Sequence, residues 1–585
     1  MIFYDFEVFK YDWLVVFIDV INKEVRAIVN DKDKIEKYYR RNIDNIWIGF
    51  NSRHYDQYIF KGIICGFDPK KINDWIIKLD KPGWRFSSQF RNIPLNNYDV
   101  MYNVDRGLKT FEGYMGNNIK ESSVPFDIDR KLTQAEIDET IKYCTHDVEQ
   151  TIEVFMHRIA DFEAQVNMLK MFSMPRSFIS KTKAQLTSFI LDAHYTVYND
   201  EFDLDFPSTL KIEKYPDVIA FYENKENHTY YKPNSRGVLE KTQYSIMLQD
   251  MKVVFGYGGV HGAREKYSGE GYYLNMDVAS LYPTLMILYG LLSRSCNPEK
   301  FKDIVDRRLK YKAEKNPLQL PLKVAINSTY GAMKDANNDL YDPRQANRVC
   351  VYGQLLLLDL MEKLAPHCEI IQCNTDGVLV KLYHYDDYDL IDDICYEWEK
   401  RTGLTLEFDE YRKVFQKDVN NYILVDDQGN YKTKGAYVKK LSKIDYDFSI
   451  INKAIVNYMV KGIPVEKTIM ECNELREFQH VVKVSSKYAG GMYGCTFRKE
   501  RGRKIWNNDG ELLNDRTFRV FASSRSNDKG LFKYKHGKNP EKFPSTSEHS
   551  FIVNEDVNGM KCPPYLDKQW YIDLAKERLM QFGVI

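Results

Sequence analysis

Apolar positions change period several times along the chain, and each change marks a boundary between elements. Ile2-Phe-Tyr-Asp-Phe-Glu-Val-Phe9 is apolar at most positions and reads as a strand. Side chains alternate across a strand, so Asp5 and Glu7 share one face. Ile46-Trp-Ile-Gly-Phe50 is a second apolar strand, and it runs into Asn51-Ser-Arg-His-Tyr55-Asp56, which sets an acid near a strand end. From Ala135 to Glu149 the period becomes helical, stacking Tyr143 over Asp147 one turn apart. Residues from about 165 to 250 mix helical patterns, such as Ser180-Lys-Thr-Lys-Ala-Gln-Leu-Thr, with polar loops, and read as a connector. Gly271-Tyr-Tyr-Leu274 is again strand-like. It leads into Asn275-Met-Asp-Val-Ala-Ser-Leu-Tyr-Pro283, where Pro283 and Thr284 open a helical pattern. Phe301–Lys312 predicts a basic helix with Arg308 and Lys312 facing one way, and Lys323, Asn327 and Tyr330 line one face of the next helix.

With 585 residues, several domains are expected. No apolar run is long enough to span a bilayer, and no basic-then-apolar leader opens the chain, so a soluble cytoplasmic protein is expected. Ten cysteines without a C-x-x-C pair point to neither a disulfide framework nor a zinc site. The formal net charge of zero argues against indiscriminate nucleic-acid binding, unless charge is segregated. Two basic clusters allow for that, Lys432–Lys440 and Arg498–Lys504, the second containing Arg498, Arg501 and Arg503.

The chemistry concentrates in acids. Two carboxylates as close as Asp5 and Glu7 repel each other and call for a compensating cation. Asp277, at a strand end before a turn and a helix, lies where backbone N–H groups and a carboxylate together suit a hard cation and a triphosphate. Three segments then follow in order: Asp277-x-x-Ser-Leu-Tyr-Pro, Lys323-x-x-x-Asn327-Ser-x-Tyr330-Gly331, and Thr375-Asp376-Gly377. Together they resemble motifs A, B and C of family B DNA polymerases. The resemblance implies that Asp277, the Val278 carbonyl and Asp376 bind two Mg²⁺ ions, with Mn²⁺ as an alternative. It further implies that Tyr282 excludes a 2′-OH, that Arg308, Lys312 and Lys323 contact the triphosphate of a dNTP, and that Asn327 and Tyr330 complete that pocket. Tyr257-Gly258-Gly259 resembles the family's template-contacting Tyr-x-Gly-Gly segment. Asn420 and Tyr422 fall where a Lys-x-Tyr grips the primer terminus, and Lys434-Gly435 matches the Lys-Gly beyond it. Phosphate contacts from Arg498, Arg501 and Arg503 would position duplex without reading sequence.

The N-terminal acids resemble the three Exo motifs of DEDDy 3′–5′ exonucleases, which have an RNase H-like fold. That resemblance implies that Asp5, Glu7, Asp56 and Asp147 hold two further divalent ions and that Tyr143 orients the attacking water. It also implies that Asn51 and Tyr55 hold a frayed primer end and that Lys120 is an auxiliary catalytic lysine. Asp99 receives no role. The expected architecture is an α/β and α+β multidomain chain, with an exonuclease domain over residues 1–165 and a connector over 166–250. A right-hand polymerase follows, its palm at 251–291 and 331–444, fingers at 292–330, and thumb and C-terminal region at 445–585.

Three departures shape the expectation. Asn374 replaces the first acid of motif C, leaving Asp277 and Asp376 for the ions. The short intervals between the motifs leave no room for the inserted subdomains of protein-primed phage polymerases. The Exo pattern begins at Asp5, so no additional N-terminal domain is expected. The leading reading is a monomeric, proofreading, template-directed DNA polymerase of a phage or mobile element. It would act on primer–template DNA and dNTPs, with a helicase, single-strand-binding protein or processivity factor as further partners. A 3′–5′ exonuclease whose palm has lost synthesis, and a non-catalytic primer–template-binding protein, are the alternatives.

Overall fold

The computed structural model describes residues 1–101, 104, 106–501, 503–507 and 509–585, without the side chains of Arg498, Lys499 and Arg503. It is a mixed α/β multidomain protein that divides into two compact units. One comprises residues 1–181, 441–451 and 466–573, and the other 182–440, 452–465 and 574–585. Among the described residues no helix is long and apolar enough to cross a membrane.

The first unit is built on a five-stranded sheet of β1 (Ile2–Val8), β2 (Trp13–Asp19), β3 (Glu24–Val29), β4 (Trp47–Gly49) and β5 (Asn97–Asp99), in the order β3-β2-β1-β4-β5. β1 pairs antiparallel with β2 and parallel with β4, and β4 pairs parallel with β5. Alternation along β1 sends Tyr4, Phe6 and Val8 into a core with Phe17, Trp47 and Phe60. The opposite face carries Phe3, whose ring meets Phe155 of the long helix Gln134–His157. Asp5 and Glu7 share that face. The helix starts at a capping box, with Thr133 and Glu136 satisfying each other's backbone N–H groups. In the same unit, strands His480–Lys483, Thr517–Ala522 and Ser550–Ile552 form a small antiparallel sheet. Arg519 of that sheet is fully buried and donates to the carbonyls of Gly113, Asn117, Val553 and Glu555.

The second unit is built on a nine-stranded sheet. At its centre the strand Tyr267–Val278 lies between Gly377–Leu382 and Leu406–Asp418, antiparallel to both. The helix Pro343–Leu364 is buried along nearly its whole length. Its Asp359 accepts a bidentate pair from Arg401, which lets an acid lie in that packing.

Two candidate active sites

In the first unit the acid-bearing face of β1 meets the helix Gln134–His157. Asp5, Glu7 and Cys144 bring one ligand atom each within 4.8 Å of one another, and Glu112, His146 and Asp147 do the same. Asp56 arrives by a different route. β4 is only three residues long, so it pairs with β1 at Ile2 and Phe3 alone. The Phe6 N–H on that side therefore lacks a strand partner, and Asp56, at the start of helix Asp56–Cys65, accepts it at 3.1 Å.

Burial sets the electrostatics. It pushes the Asp5 and Glu7 carboxyls well above their usual range, and the other acids push them further. Burial raises Asp147 as well, and carries Asp56 up to about 8. The compensating cation is Lys109. Its ammonium contacts Asp147, lies 3.1 Å from Glu112, and stands 4.7 Å from the centre of the Tyr143 ring. Burial works against that ammonium, but Asp147 and Glu112 outweigh it, so its pKa ends above the ordinary lysine value. Tyr143 hydrogen-bonds Asp147, and its hydroxyl is held protonated by burial and by the surrounding acids.

Lys109 was not legible as a site residue, and Lys120, which the resemblance pointed to, lies elsewhere. The Lys120 side chain pairs with Glu139 at 3.9 Å, and only its backbone N–H reaches Glu112. No local pattern distinguishes the two lysines, because only the packing of helix Leu108–Met115 brings one of them to Asp147. Asp99 also acquires a role. It accepts the backbone N–H groups of Asn51, Arg53 and Met101, and so holds the loop in which Asn51 takes a positive φ of 60°. Tyr55 ends the same loop, its hydroxyl bound to Asn73 at 2.7 Å.

The raised Asp56 carboxyl has a consequence for stability. Its folded state holds the proton more tightly than the unfolded state does. The stabilisation is therefore complete below about pH 4 and is lost as pH rises through about 8. At about pH 8 in EDTA, Asp56→Asn should raise the thermal midpoint by about 4 °C, with the gain vanishing near pH 4. Circular-dichroism melts across pH check this, and an unchanged midpoint at pH 8 would refute it.

In the second unit, Asp277 is next to last in the central strand, opposite Gly377, and the Val278 N–H donates to the Asp376 carbonyl at 2.7 Å. Asp277 and Asp376 thus sit on adjacent strand ends. A Cβ on residue 377 would lie 2.0 Å from the Asp277 Oδ1, so glycine is required there for the carboxylate to keep its place. Burial raises the Asp277 carboxyl. Asn275, bound at 2.8 Å, and Lys432 draw it back, while Asp376 and Asp409 push it up. Lys432 lies 4.0 Å from Asp277 and 3.7 Å from Asp409, a third acid that the motifs did not mark.

Asn374 shapes the turn that presents Asp376. Its side-chain oxygen accepts the N–H groups of Asp376 and Gly377, at 3.1 and 3.0 Å. An aspartate would fill that place through the same oxygen, so the amide removes no carboxylate from the Asp277–Asp376 pair.

The helical pattern starts two residues earlier than Pro283, at Leu281, because Ser280 takes a left-handed conformation (φ 51°) that turns the chain sharply. Arg308 donates to the Ser280 hydroxyl at 3.4 Å from the helix Pro298–Ala313. Lys312 is exposed one turn beyond Arg308. On helix Gln319–Lys334, Lys323 and Asn327 are exposed, while Tyr330 meets the Tyr282 ring at 4.6 Å between centroids.

Around this centre, Gly259 packs so tightly against the motif C turn that a Cβ would fall 2.2 Å from the Thr375 hydroxyl. Tyr422 pairs across its hairpin with Lys434, whose ammonium lies 5.8 Å from the ring. Gly435, at φ 99°, lies against the Asn420 carbonyl. In the first unit Arg501 is exposed on the turn between strands Phe497–Glu500 and Arg503–Trp506, while the side chains of Arg498 and Arg503 lie outside the described residues.

No protein-family model matches the chain, and no curated protein matches it. Among solved structures it is similar to the family B DNA polymerase from the hyperthermophilic archaeon Pyrobaculum calidifontis. That likeness has a TM-score of 0.39 and 13% identity, covering 100% of this chain and 78% of that one.

Proposed function

We propose that the chain is a template-directed DNA polymerase with a 3′–5′ proofreading exonuclease, adding dNMP to a primer 3′-OH in phage or mobile-element replication. The observation that carries this reading is the pair of separate acid centres: Asp277 with Asp376 where adjoining strands meet, and Asp5 and Glu7 raised by Asp56 and Asp147, with the Lys109 ammonium at Asp147. Carboxylates gathered where they raise one another's pKa mark a candidate functional site, and this chain has two such places. The order of the first sheet, three antiparallel strands followed by two parallel ones, supports an RNase H-like exonuclease domain.

The donors at both centres are hard oxygens and fit Mg²⁺, with Mn²⁺ as the alternative. Asp277, Asp376 and the Val278 carbonyl would hold it at one centre, and Asp5, Glu7, Asp56 and Asp147 at the other. When bound, the ions neutralise charge on the phosphoryl oxygens and lower the pKa of the attacking hydroxyl or water.

The chain's own groups do the remainder. Tyr282 and Tyr330 form an aromatic floor under the incoming sugar and base, which leaves no space for a 2′-OH. Arg308 and Lys312 from one helix and Lys323 from the next present positive charge to a triphosphate, and Asn327 lies one turn from Lys323 on that second helix. Asn420 and Lys434, both exposed, would grip the primer end, while Tyr422 is buried in the sheet core beneath them and supports that hairpin; Tyr257, Gly258 and Gly259 would hold the template. At the nuclease centre Tyr143 orients a water through its protonated hydroxyl, Lys109 faces the scissile phosphate, and Asn51 and Tyr55 receive the frayed end. Arg498, Arg501 and Arg503 would hold duplex phosphates. Asn374, as a turn-former, weighs against a palm that has lost synthesis.

The test is a 5′-labelled primer–template incubated with Mg²⁺, with and without dNTPs. Extension is expected when dNTPs are present, and shortening from the 3′ end when they are absent, fastest at a mismatched terminus. A chain that shortens the primer but never extends it loses the polymerase reading.

A further inference from the structure

A cavity of about 640 Å³ opens in the second unit beside Tyr257-Gly258-Gly259, within the size range of small-molecule sites. Its floor abuts the candidate synthetic centre, since Gly259 packs on Thr375 of the Asp376 turn. Two walls are rigid aromatic faces. Tyr257 and Tyr230 meet edge to face at 5.6 Å between centroids, both braced by Phe202. Their hydroxyls are tied to the Asn227 carbonyl and to Glu201, at 2.9 and 2.6 Å. Gly258 leaves open space, with nothing within 4 Å of where a Cβ would stand. Lys334, from the end of the Gln319–Lys334 helix, lines the cavity and donates to the Tyr257 carbonyl at 3.1 Å.

The mouth is formed by a hairpin, Tyr231–Pro233 with Leu239–Lys241, from the connector region to which no role was assigned. Tyr231 and Lys241 are direct cross-strand partners, both exposed and both lining the cavity. His261 on the rim has its pKa lowered, by burial and then by Lys434 and Lys241, a sign of positive potential there.

Aromatic faces with cations at the edge bind an unpaired nucleotide by stacking and phosphate contact, with little regard to which base it is. From this juxtaposition of a braced tyrosine pocket, a Tyr231–Lys241 mouth and the Asp376 turn, we infer that the cavity receives the first unpaired template nucleotide beyond the templating position. The inference rests on the polymerase reading for the strand's identity. It assigns the Tyr231–Lys241 hairpin as a single-strand contact that the motifs do not include.

The test compares two DNAs by fluorescence anisotropy on the full chain in EDTA, so that neither is degraded. One is a blunt duplex, and the other the same duplex with a 5′ template overhang. The wild type should bind the overhang DNA about tenfold more tightly. Tyr231→Ala/Lys241→Ala should bring the two affinities within about twofold while leaving the blunt duplex unaffected, and Lys241→Ala alone should lower the salt slope by about 1. Lys241→Glu alone, an exposed change that reverses the charge at the mouth, should abolish the same preference, so the test survives if the double hairpin variant misfolds. Equal binding of both DNAs by the wild type, or a tenfold preference retained in the variants, overturns the inference. Primer extension on the overhang DNA is scored separately. Its absence strikes the polymerase reading, whereas the affinity ratio alone decides the cavity.

Discussion

Asp277→Ala should abolish primer extension, by a factor on the order of a thousand or more, while 3′–5′ shortening of the same primer continues at the wild-type rate. The size of the effect follows from the place of the carboxylate. Asp277 lies next to last in its strand opposite Gly377, where no Cβ intrudes, and faces Asp376, Asp409 and Lys432. Removing it leaves one exposed aspartate, Asp376, in a pair built for two. Stability should hold or rise, since the half-buried carboxyl is disfavoured by desolvation and by its acidic neighbours. A melt at or above the wild-type midpoint, with extension gone and degradation intact, is the expected pattern. Extension within tenfold of wild type would remove Asp277 from the reaction and the polymerase reading with it.

Asp5→Ala/Glu7→Ala is the mirror experiment. Shortening of a mismatched primer should fall by a similar factor, with extension of a matched primer unchanged. The two residues share one face of β1 and are both raised by burial and by the acids around them, so losing them takes away half of the oxygen set at that centre. The metal-free double variant should also melt higher than the wild type. With two repelling acids gone, Lys109 is left to pair with Asp147 and Glu112 alone. Degradation that persists at the wild-type rate would show that this acid cluster serves the fold and not a nuclease.

Much of both centres was legible along the chain, because it depends on local periodicity. The two-residue repeat of a strand puts Asp5 beside Glu7, and the helical repeat puts Tyr143 over Asp147 and aligns Lys323, Asn327 and Tyr330. The absence of a long apolar run was legible on the same local grounds, and among the described residues no helix is long and apolar enough to cross a membrane. What could not be read concerns partners distant in sequence. Lys109 and Lys120 are equally plausible as isolated lysines, and only one has its ammonium at Asp147. Asp99, without a role in the linear reading, holds the Asn51 loop through three backbone bonds. Asn374 could be read along the chain only as a missing acid that leaves Asp277 and Asp376 for the ions; its part in holding the turn before Asp376 depends on backbone N–H groups the motif does not show.

By itself the sequence determined which residues share a face within each element, since a strand or helix imposes its period on whatever chain adopts it. Only the tertiary structure decided which elements adjoin. It set Gly377 against Asp277, gave the unpaired Phe6 N–H to Asp56, and put the Tyr231–Lys241 hairpin at the mouth of the tyrosine cavity. Such neighbours are selected by burial and by the need to satisfy each buried polar group, conditions met by the whole fold at once and by no short segment of it.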